Sequence, residues 1–371
     1  MTVIADRVLI VGAGLTGATL ANLLANKGHL VLVLDKRSHL AGNCYDQIQE
    51  QILVSRYGAH LFHTNSRAVW QFLHQFADWR SYQHQVLTKI NDQTVTLPVN
   101  INTINQLFGL KLKTAKEMRH FLSKQAIHLD KIESLADYLL SNVGQVIYQK
   151  IFYGYSRKQW GIDPAYLDTS LSSRLPIRYN FDNRYFTDRY QALPVGGYSR
   201  MVEKMLQHKL IEVKLKTDFF KLSKAKLKDF DKVIYTGPID QYFAYRHGRL
   251  EYRSLKFEFS KIDCEYYQNN SVINYPDLSV PYTRIIEFKY FDPSATATKH
   301  TIIAREYPKS KGEPYYPVPR ARNSQVLAKY LAEAKELAKS GVYFAGRLGT
   351  YRYLNMDQAV AEAMRLAEKI G

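Results

Sequence analysis

Three glycines near the start of the chain have the spacing of a phosphate-binding turn. Gly12, Gly14 and Gly17 form the pattern G-x-G-x-x-G. Ala13 and Thr16 occupy two of the positions between them. A turn of this kind brings backbone N–H groups close to a pyrophosphate, because glycine has no side chain in the way. The triplet alone is weak evidence, since glycines at this spacing also occur in ordinary tight turns.

The segments around these glycines complete the pattern of a dinucleotide site. Residues 7–14 predict a short buried strand, 15–28 a helix and 29–35 a second buried strand. Such a unit has parallel strands and a right-handed crossover. Asp35 ends the second strand, where it can accept a hydrogen bond from a ribose hydroxyl, and Lys36 follows it. We therefore expect a bound dinucleotide.

Two further segments are relevant to the kind of dinucleotide. Gly42 and Asn43 follow the second strand at once, where a glycine and a short polar side chain would let the backbone lie against a flavin's pyrophosphate and ribityl chain. A simple loop is the alternative on spacing alone. The segment "YFAGR" (343–347) predicts a strand that re-enters the sheet, which suits FAD because its length needs a second contact strand and helix.

A cluster of cations and phenols lies directly before the last helix. The stretch "GRLGTYRYLNMDQAV" (346–360) contains Arg347, Tyr351, Arg352 and Tyr353 within seven positions. An ordinary surface turn does not require these residue types. The cluster therefore requires an explanation other than a surface turn.

The elements that must position these residues change in character along the chain. In residues 102–151, apolar residues recur every three or four positions, as in helices. In residues 252–307, apolar residues alternate with others, as in antiparallel strands that have one solvent-exposed face. Short buried strands are expected again in 231–240 and 341–347, where they can rejoin the first sheet, and 356–370 predict a final helix. The predicted fold class is α/β: a Rossmann-like FAD-binding domain with an inserted helical domain and an antiparallel β-sheet domain.

The predicted domains are discontinuous. The FAD-binding domain is expected to comprise 1–78, 190–245 and 336–371, and the helical domain 100–165. The antiparallel sheet and substrate domain is expected to comprise 79–99, 166–189 and 246–335, with a mobile lid near 166–180.

The composition narrows the possible partners. The net charge of +17 favours binding of an anionic partner, which could be nucleic acid, an anionic membrane surface or a phosphorylated small molecule. Many lysines lie in 209–232, alternating with apolar residues as on a solvated strand or helix face. The sequence has no nucleic-acid motif, signal-peptide pattern or apolar run of the roughly 20 residues that a bilayer requires. With Cys44 and Cys264 as its two cysteines, we expect a cytoplasmic protein without a metal site, nucleic-acid partner or stable membrane insertion.

A series of motifs makes the chain resemble the bacterial UDP-galactopyranose mutase family from end to end. They are the glycine triplet and, in order, "AGN" (41–43), "GAHLFHT" (58–64), "QW" (159–160), "SSRLPIR" (172–178), "PYTRIIEFK" (281–289), "EPYYPVP" (313–319) and "GRLGTYRYLNM" (346–356). The glycine motif is common to FAD and NAD enzymes, whereas the arginine and tyrosine motifs are specific to this family.

The resemblance implies an isomerase of galactofuranose and cell-surface polysaccharide biosynthesis. Such an enzyme interconverts UDP-galactopyranose and UDP-galactofuranose through a flavin N5–sugar adduct and is active with reduced FAD. It implies a nucleotide-sugar substrate and a homodimer.

The resemblance also assigns site residues. Those implied in catalysis are Arg174, Arg284, Tyr353 and His63. Those implied in substrate binding are His84, Tyr155, Ser156, Trp160, Arg174, Tyr185, Asn274, Arg284, Tyr316 and Tyr353. Those implied in cofactor binding are Gly12, Ala13, Gly14, Thr16, Gly17, Asp35, Lys36, Gly42, Asn43, His60, Leu61, Arg347, Leu354, Asn355 and Met356. The two arginines are expected to hold the diphosphate, and His63 is expected to hydrogen-bond the flavin edge.

The sequence departs from the family pattern at three positions. His84 stands where the family usually has asparagine, Asn355 where it usually has aspartate, and Ser156 where it usually has threonine. The first two changes leave open a mutase for another nucleotide sugar, such as a UDP- or dTDP-linked 6-deoxy sugar or an arabinose. A flavin oxidoreductase of the amine-oxidase type, which shares "LPVGGYSRM" (193–201), and a binding module without catalysis are further alternatives.

Overall fold

The computed structural model describes residues 5–371. The strands are β1 (Arg7–Val11), β2 (Leu30–Leu34), β3 (Asp46–Gln49), β4 (Ile52–Ser55), β5 (Phe62–Thr64), β6 (Trp79–Ser81), β7 (Val86–Ile90), β8 (Gln93–Leu97), β9 (Tyr190–Pro194), β10 (Ile211–Lys214), β11 (Lys232–Tyr235), β12 (Tyr252–Ile262), β13 (Val272–Asn274), β14 (Arg284–Glu287), β15 (Thr301–Lys309), β16 (Tyr316–Pro317) and β17 (Val342–Phe344).

The α-helices are α1 (Leu15–Asn26), α2 (Arg67–His74), α3 (Ile101–Phe108), α4 (Ala115–Gln125), α5 (Leu135–Ile147), α6 (Gly154–Trp160), α7 (Gly197–Leu206), α8 (Lys224–Leu227), α9 (Ile239–Tyr242), α10 (Ala321–Ala338), α11 (Gly346–Gly349) and α12 (Met356–Ile370). A π-helical segment, Tyr148–Tyr153, joins α5 to α6, and a 3-10 helix covers Thr169–Arg174. Among the described residues, no helix combines the length and apolar character needed to cross a membrane.

A parallel sheet forms the nucleotide-binding side of the molecule. Its strand order is β10-β2-β1-β11-β17, and every neighbouring pair is parallel. The strands β1 and β2 are runs of apolar residues because helices cover both faces of such a sheet. The helices α1, α7 and α12 pack on one face, while α10 packs against β17 and α9 on the other. The predicted Rossmann-like domain, including the return of the later strands beside β1, is confirmed.

A seven-stranded sheet forms the other side. Its order is β16-β12-β15-β14-β13-β7-β8, and all pairs are antiparallel except β13 with β7. The helices α3 to α6 share one apolar core with this sheet. The predicted antiparallel sheet and helical insertion are both present.

The predicted helical stretch 102–151 is divided by turns with identifiable caps. The helices α3, α4 and α5 each begin at a polar side chain, Asn100, Thr114 and Ser134, which accepts a hydrogen bond from a backbone N–H of the first turn. The helix expected over 15–28 ends at Asn26, and the chain then turns through residue 28, a glycine with φ +96°.

Two segments pack on a different side from the one that the sequence assigned to them. The helix α10 falls within the predicted segment 246–335 but packs against the parallel sheet, since Tyr330 is fully buried beside Ile239 and Phe243. The strand β6 falls within 79–99 but pairs with β9, next to the nucleotide-binding side. Residues 1–4 of the predicted segment 1–78 lie outside the described residues, and the domain bounds stay a prediction.

Candidate functional site

A cavity of about 380 Å³ lies at the carboxyl ends of the parallel strands. Strand ends at this edge of an open α/β sheet form the usual ligand crevice. The lining includes every residue predicted for the cofactor except Ala13 and Leu61, namely Gly12, Gly14, Thr16, Gly17, Asp35, Lys36, Gly42, Asn43, His60, Arg347, Leu354, Asn355 and Met356.

The backbone around this cavity approaches so closely that glycine is required. Gly12 has φ +111°, and a Cβ there would lie 2.1 Å from Thr236 Oγ1. Gly42 has φ +55°, and a Cβ there would lie 2.9 Å from the Cα of Gly14. Both φ values belong to the region that side chains disfavour. The glycine turn, the loop after β2 and the loop after β11 therefore meet at one place without side chains between them.

Asp35 lies at the end of β2 and is tied to the glycine turn. Its Oδ2 accepts a hydrogen bond of 2.8 Å from the N–H of Ala13, and its Oδ1 accepts one of 2.8 Å from the N–H of Arg37. Lys36 is an exposed neighbour whose Nζ lies 3.3 Å from a carboxylate oxygen of Glu313. The buried carboxylate of Asp35 thus lines the cavity in an orientation that the backbone holds.

Of the two histidines expected near the cofactor, only His60 lines the cavity. Its Nδ1 lies 2.9 Å from the carbonyl oxygen of Gly58, and burial lowers the pKa of its imidazole to about 4. His63 instead stacks on Phe186 at 3.6 Å, and its Nδ1 donates to Asp188 Oδ2 at 3.0 Å. The role of His63 stays a prediction, and the atom that remains for a ligand is Nε2.

The expected substrate residues gather around the segment that precedes α12. Arg174 comes from the end of the 3-10 helix, and its guanidinium lies 3.5 Å from the centroid of the Tyr353 ring. Its Nη1 donates to Asn355 Oδ1 at 2.8 Å, and its Nη2 donates to the carbonyl oxygen of Tyr353. Arg174 is thus held by a segment that lies 179 residues further along the chain.

Arg284 reaches the same region from the antiparallel sheet. It begins β14, where it is paired with Asn274 of β13 and with Glu306 of β15. Its Nη2 donates to the hydroxyl of Tyr155 on α6, and its Nε lies 3.4 Å from Glu306 Oε1. Burial alone would lower the pKa of Arg284, but Glu306 and the nearby Tyr155 raise it well above its ordinary value. Arg284 is therefore a permanent cation.

Three aromatic rings form a wall beside these arginines. Tyr316 and Tyr353 have ring centroids 4.9 Å apart, and Trp160 packs edge-on to both at 6.5 and 6.0 Å. Arg347, which lines the cavity, lies 5.3 Å from the Tyr316 ring and 5.2 Å from the Tyr353 ring. Tyr315 is directed elsewhere and packs 6.1 Å from Tyr57. The wall thus contains Tyr316, the tyrosine selected from the sequence.

Among the buried polar atoms of this cluster that have no hydrogen-bond partner in the described residues are His84 Nδ1 and Asn274 Oδ1. His84 packs edge-on to Tyr185 at 5.8 Å. Burial lowers the pKa of His84 to about 3, with Arg284 and His63 adding to the effect, so its imidazole is neutral. Since an unpaired buried polar atom costs about 1–3 kcal/mol, these two atoms are candidates for contacts with a ligand. Ser156 is buried on α6, directly after Tyr155.

Several site residues were not identified from the sequence. Glu306 pairs with Arg284 and Asp188 pairs with His63, but both contacts span more than 20 positions and carry no local signal. The cavity is also lined by the segments after β10 and β11, namely Thr217, Asp218, Phe219, Phe220, Thr236, Gly237 and Pro238. Thr236, Gly237 and Pro238 could have been predicted from the sequence, because a strand that rejoins the sheet places the residues that follow it at the same edge.

The residues present fit a dinucleotide of the FAD type. The glycine contacts leave backbone N–H groups and the start of α1 open toward a pyrophosphate. The cavity continues past them to His60, Arg347 and Met356, so it can hold a second ring system beyond the phosphates. The end of the cavity at Leu354–Met356 is the beginning of the Arg174–Tyr353 cluster.

Comparisons with known proteins agree with this arrangement. A family model described as UDP-galactopyranose mutase matches residues 150–353, and one described as an NAD(P)-binding Rossmann-like domain matches residues 10–76. A Klebsiella pneumoniae protein described as "Probable UDP-galactopyranose mutase" is 38% identical over 98% of this chain and 94% of its own length. A dTDP-fucopyranose mutase of Escherichia coli is 36% identical over 98% of each chain.

A solved structure has the same fold. The crystal structure of a reduced UDP-galactopyranose mutase superposes with a TM-score of 0.80 over 99% of this chain and 95% of that chain. At 15% identity this likeness supports the fold alone. The family model covers more than half of the chain, and the sequence relatives cover nearly all of it. The chain therefore belongs to the UDP-galactopyranose mutase family.

Proposed function

We propose that this protein is an isomerase that uses FAD to interconvert UDP-galactopyranose and UDP-galactofuranose. One observation supports the proposal most directly: within the segment Tyr353–Met356, Leu354, Asn355 and Met356 line the dinucleotide cavity, while Tyr353 and Asn355 bind Arg174 of the arginine–tyrosine cluster. A cofactor in the cavity and a nucleotide sugar in the cluster would therefore meet at this segment.

The two arginines suit a diphosphate that must leave the sugar and return to it. Ring contraction requires the bond between the anomeric carbon and the diphosphate to break and later to form again. The leaving diphosphate keeps its negative charge, so a pair of fixed guanidinium groups can hold it between the two events. Arg284 is permanently charged, and Arg174 lies on a short 3-10 helix rather than in a sheet, which suits a residue on a moving lid.

When bound and reduced, FAD would supply the nucleophile for the anomeric carbon. The chain's own contribution is to position the sugar, exclude water and provide hydrogen-bonding groups. Trp160, Tyr316 and Tyr353 form an apolar wall for the nucleotide sugar, while neutral His84 and Asn274 offer unpaired atoms to it. His60 would face the flavin and stay uncharged near neutral pH.

A second candidate substrate is a dTDP-linked 6-deoxy sugar. Two observations favour it: the similarity to a dTDP-fucopyranose mutase over nearly the full length, and the neutral amide of Asn355 beside Arg174. An amide has the shape of a carboxylate but lacks its charge and adds a donor, so it can change which sugar hydroxyls are accepted.

The proposal is tested by assaying the purified, flavin-loaded protein with UDP-galactofuranose under dithionite. We expect conversion to UDP-galactopyranose with reduced flavin and none with oxidised flavin. The same assay with a panel of UDP- and dTDP-linked hexoses ranks the substrates by kcat/KM. Oxidative consumption of substrate, or turnover only with oxidised flavin, would instead indicate an oxidoreductase.

Two further parts of the proposal concern the protein as a whole. We propose a homodimer, which light scattering of the purified protein tests. We also propose a cytoplasmic location, which fractionation of cells that produce the protein tests.

A further inference from the structure

Lys158 makes an unusual set of contacts. It lies on α6, and its Nζ donates to the backbone carbonyl oxygens of Tyr275, Asp277, Val280 and Tyr282 at 2.6, 2.7, 2.8 and 2.9 Å. An ammonium group has three N–H donors, so four acceptors at these distances exceed what it can bond individually. Lys158 thus lies at the centre of a ring of carbonyl groups, as a bound cation would.

These carbonyl groups all belong to one loop, which joins β13 to β14. The loop covers residues 275–283 and is closed at its base by the N–H of Tyr275, which donates to the carbonyl oxygen of Thr283 at 2.8 Å. Asn274 immediately precedes the loop and Arg284 immediately follows it. A shift of this loop would therefore move two of the residues that face the candidate substrate.

A second, independent contact brings α6 against the same loop. A Cβ at Gly154 would lie 2.1 Å from the carbonyl oxygen of Pro276, so the first turn of α6 touches the loop backbone. Tyr155, three positions before Lys158, lies on the same helix face and accepts a hydrogen bond from Arg284. One face of α6 thus contacts both the loop and Arg284, the residue that follows it.

We propose that Lys158 is a positioning residue whose ammonium group holds the 275–283 loop against α6 and thereby orients Arg284 and Asn274 toward the substrate. The role of Arg284 in binding a diphosphate rests on the proposed function. The contacts with the loop are independent of that function.

The charge on Lys158 is sensitive to pH. Burial lowers the pKa of Lys158 to about 8, while Asp277 on the loop acts in the opposite direction. The other charged groups nearby are Arg253 of β12, which donates to the carbonyl oxygen of Lys158 at 3.2 Å, and Arg305, whose guanidinium lies 6.0 Å from the Tyr282 ring. Loss of the proton removes one donor and the attraction for the carbonyl dipoles, so the loop should loosen above this pH.

The test is the variant Lys158→Ala, with Lys150→Ala as the control because Lys150 is exposed on the preceding π-helical segment. Amide hydrogen exchange of 275–283 should become faster in Lys158→Ala and stay unchanged in Lys150→Ala. Under dithionite, kcat/KM for the nucleotide sugar should fall about 10- to 100-fold, since small displacements of positioning groups have effects of this size. Flavin content should not change.

Chemical rescue and the pH profile of kcat/KM distinguish a positioning role of Lys158 from a general loss of stability. Propylammonium chloride matches the atoms removed and should restore much of the lost kcat/KM, whereas tetramethylammonium chloride at equal ionic strength should not. In the wild-type enzyme kcat/KM should fall above about pH 8 with the pKa of Lys158, and this limb should disappear in Lys158→Ala.

Unchanged hydrogen exchange in the loop, or a loss of kcat/KM that propylammonium does not relieve, would overturn the proposal. If Lys158→Ala does not fold, the wild-type protein decides: kcat/KM and the protection factors of the loop amides, which correct for the base-catalysed intrinsic exchange rate, are followed to pH 9.5, and constancy of both overturns the proposal. Failure of the wild type to convert any nucleotide sugar refutes the proposed function, while the exchange measurement still decides the role of Lys158.

Discussion

The two halves of the candidate site are built in different ways. The dinucleotide cavity is made largely of backbone, since Gly12, Gly14 and Gly42 let three chain segments approach within contact distance. The substrate cluster is made of long side chains, with Arg174 and Arg284 reaching it from elements far apart in the sequence. The first half depends on the absence of side chains and the second on their presence, so substitutions should affect the two halves differently.

The largest effect should come from adding a side chain to the backbone-built half. In Gly12→Ala the new methyl group meets Thr236 Oγ1 at 2.1 Å and the residue keeps an unfavourable φ of +111°. We expect purified protein that is nearly colourless and has no turnover. Flavin absorbance after purification and the mutase assay measure both.

Gly28→Ala is the matched control for that substitution. Gly28 also has a positive φ, +96°, but a Cβ there meets nothing within 4 Å. We expect a loss of about 1 kcal/mol in the free energy of unfolding from backbone strain and full flavin content. Equal flavin loss in both variants would mean that strain, rather than the close approach at Thr236, is responsible.

A smaller effect is expected from removing a side chain in the other half. Arg284→Ala should lower kcat/KM by about 10²- to 10³-fold, as removal of a preorganised charge-stabilising group usually does. Its flavin content should stay at the wild-type level, because Arg284 does not line the dinucleotide cavity. Arg189→Ala, at an exposed arginine beside Tyr190, is the control and should retain normal activity. Wild-type rates in Arg284→Ala would show that the diphosphate binds elsewhere.

The last effect is confined to acid and concerns stability. Burial lowers the pKa of His84 to about 3, below the ordinary value of 6.5, so the unfolded chain takes up a proton first as the pH falls. The stability that neutral His84 contributes is therefore complete above pH 6.5 and is lost as the pH falls from 6.5 toward 3. In His84→Asn the free energy of unfolding should decrease less steeply over this range.

Urea unfolding at a series of pH values measures that slope. His60, whose pKa is also lowered, remains in the variant and should keep part of the slope. His128→Asn, at an exposed histidine, should reproduce the wild-type curve. Identical curves for His84→Asn and the wild type would mean that His84 is not buried in neutral form.

The contrast between the two halves also explains how much of the site could be predicted from the sequence. The glycine turn, α1 and the end of β2 lie within thirty positions of one another, and their spacing predicts both the fold and a bound dinucleotide. The arginines and tyrosines of the other half were assigned through motifs resembling a known family. Their partners Glu306 and Asp188 were not predicted, because the contacts depend on how strands 20 or more positions apart align.

What the sequence determines by itself is local: apolar strands around a glycine turn, caps that begin helices at Asn100, Thr114 and Ser134, and the residue types able to bind a diphosphate. Tertiary structure decides which of those residues meet. Register places Arg284 between Asn274 and Glu306, and packing places the ammonium of Lys158 inside the 275–283 loop. The physical reason is that backbone conformation depends on neighbouring residues, whereas the burial and pairing of a charge depend on elements that only the folded chain brings together.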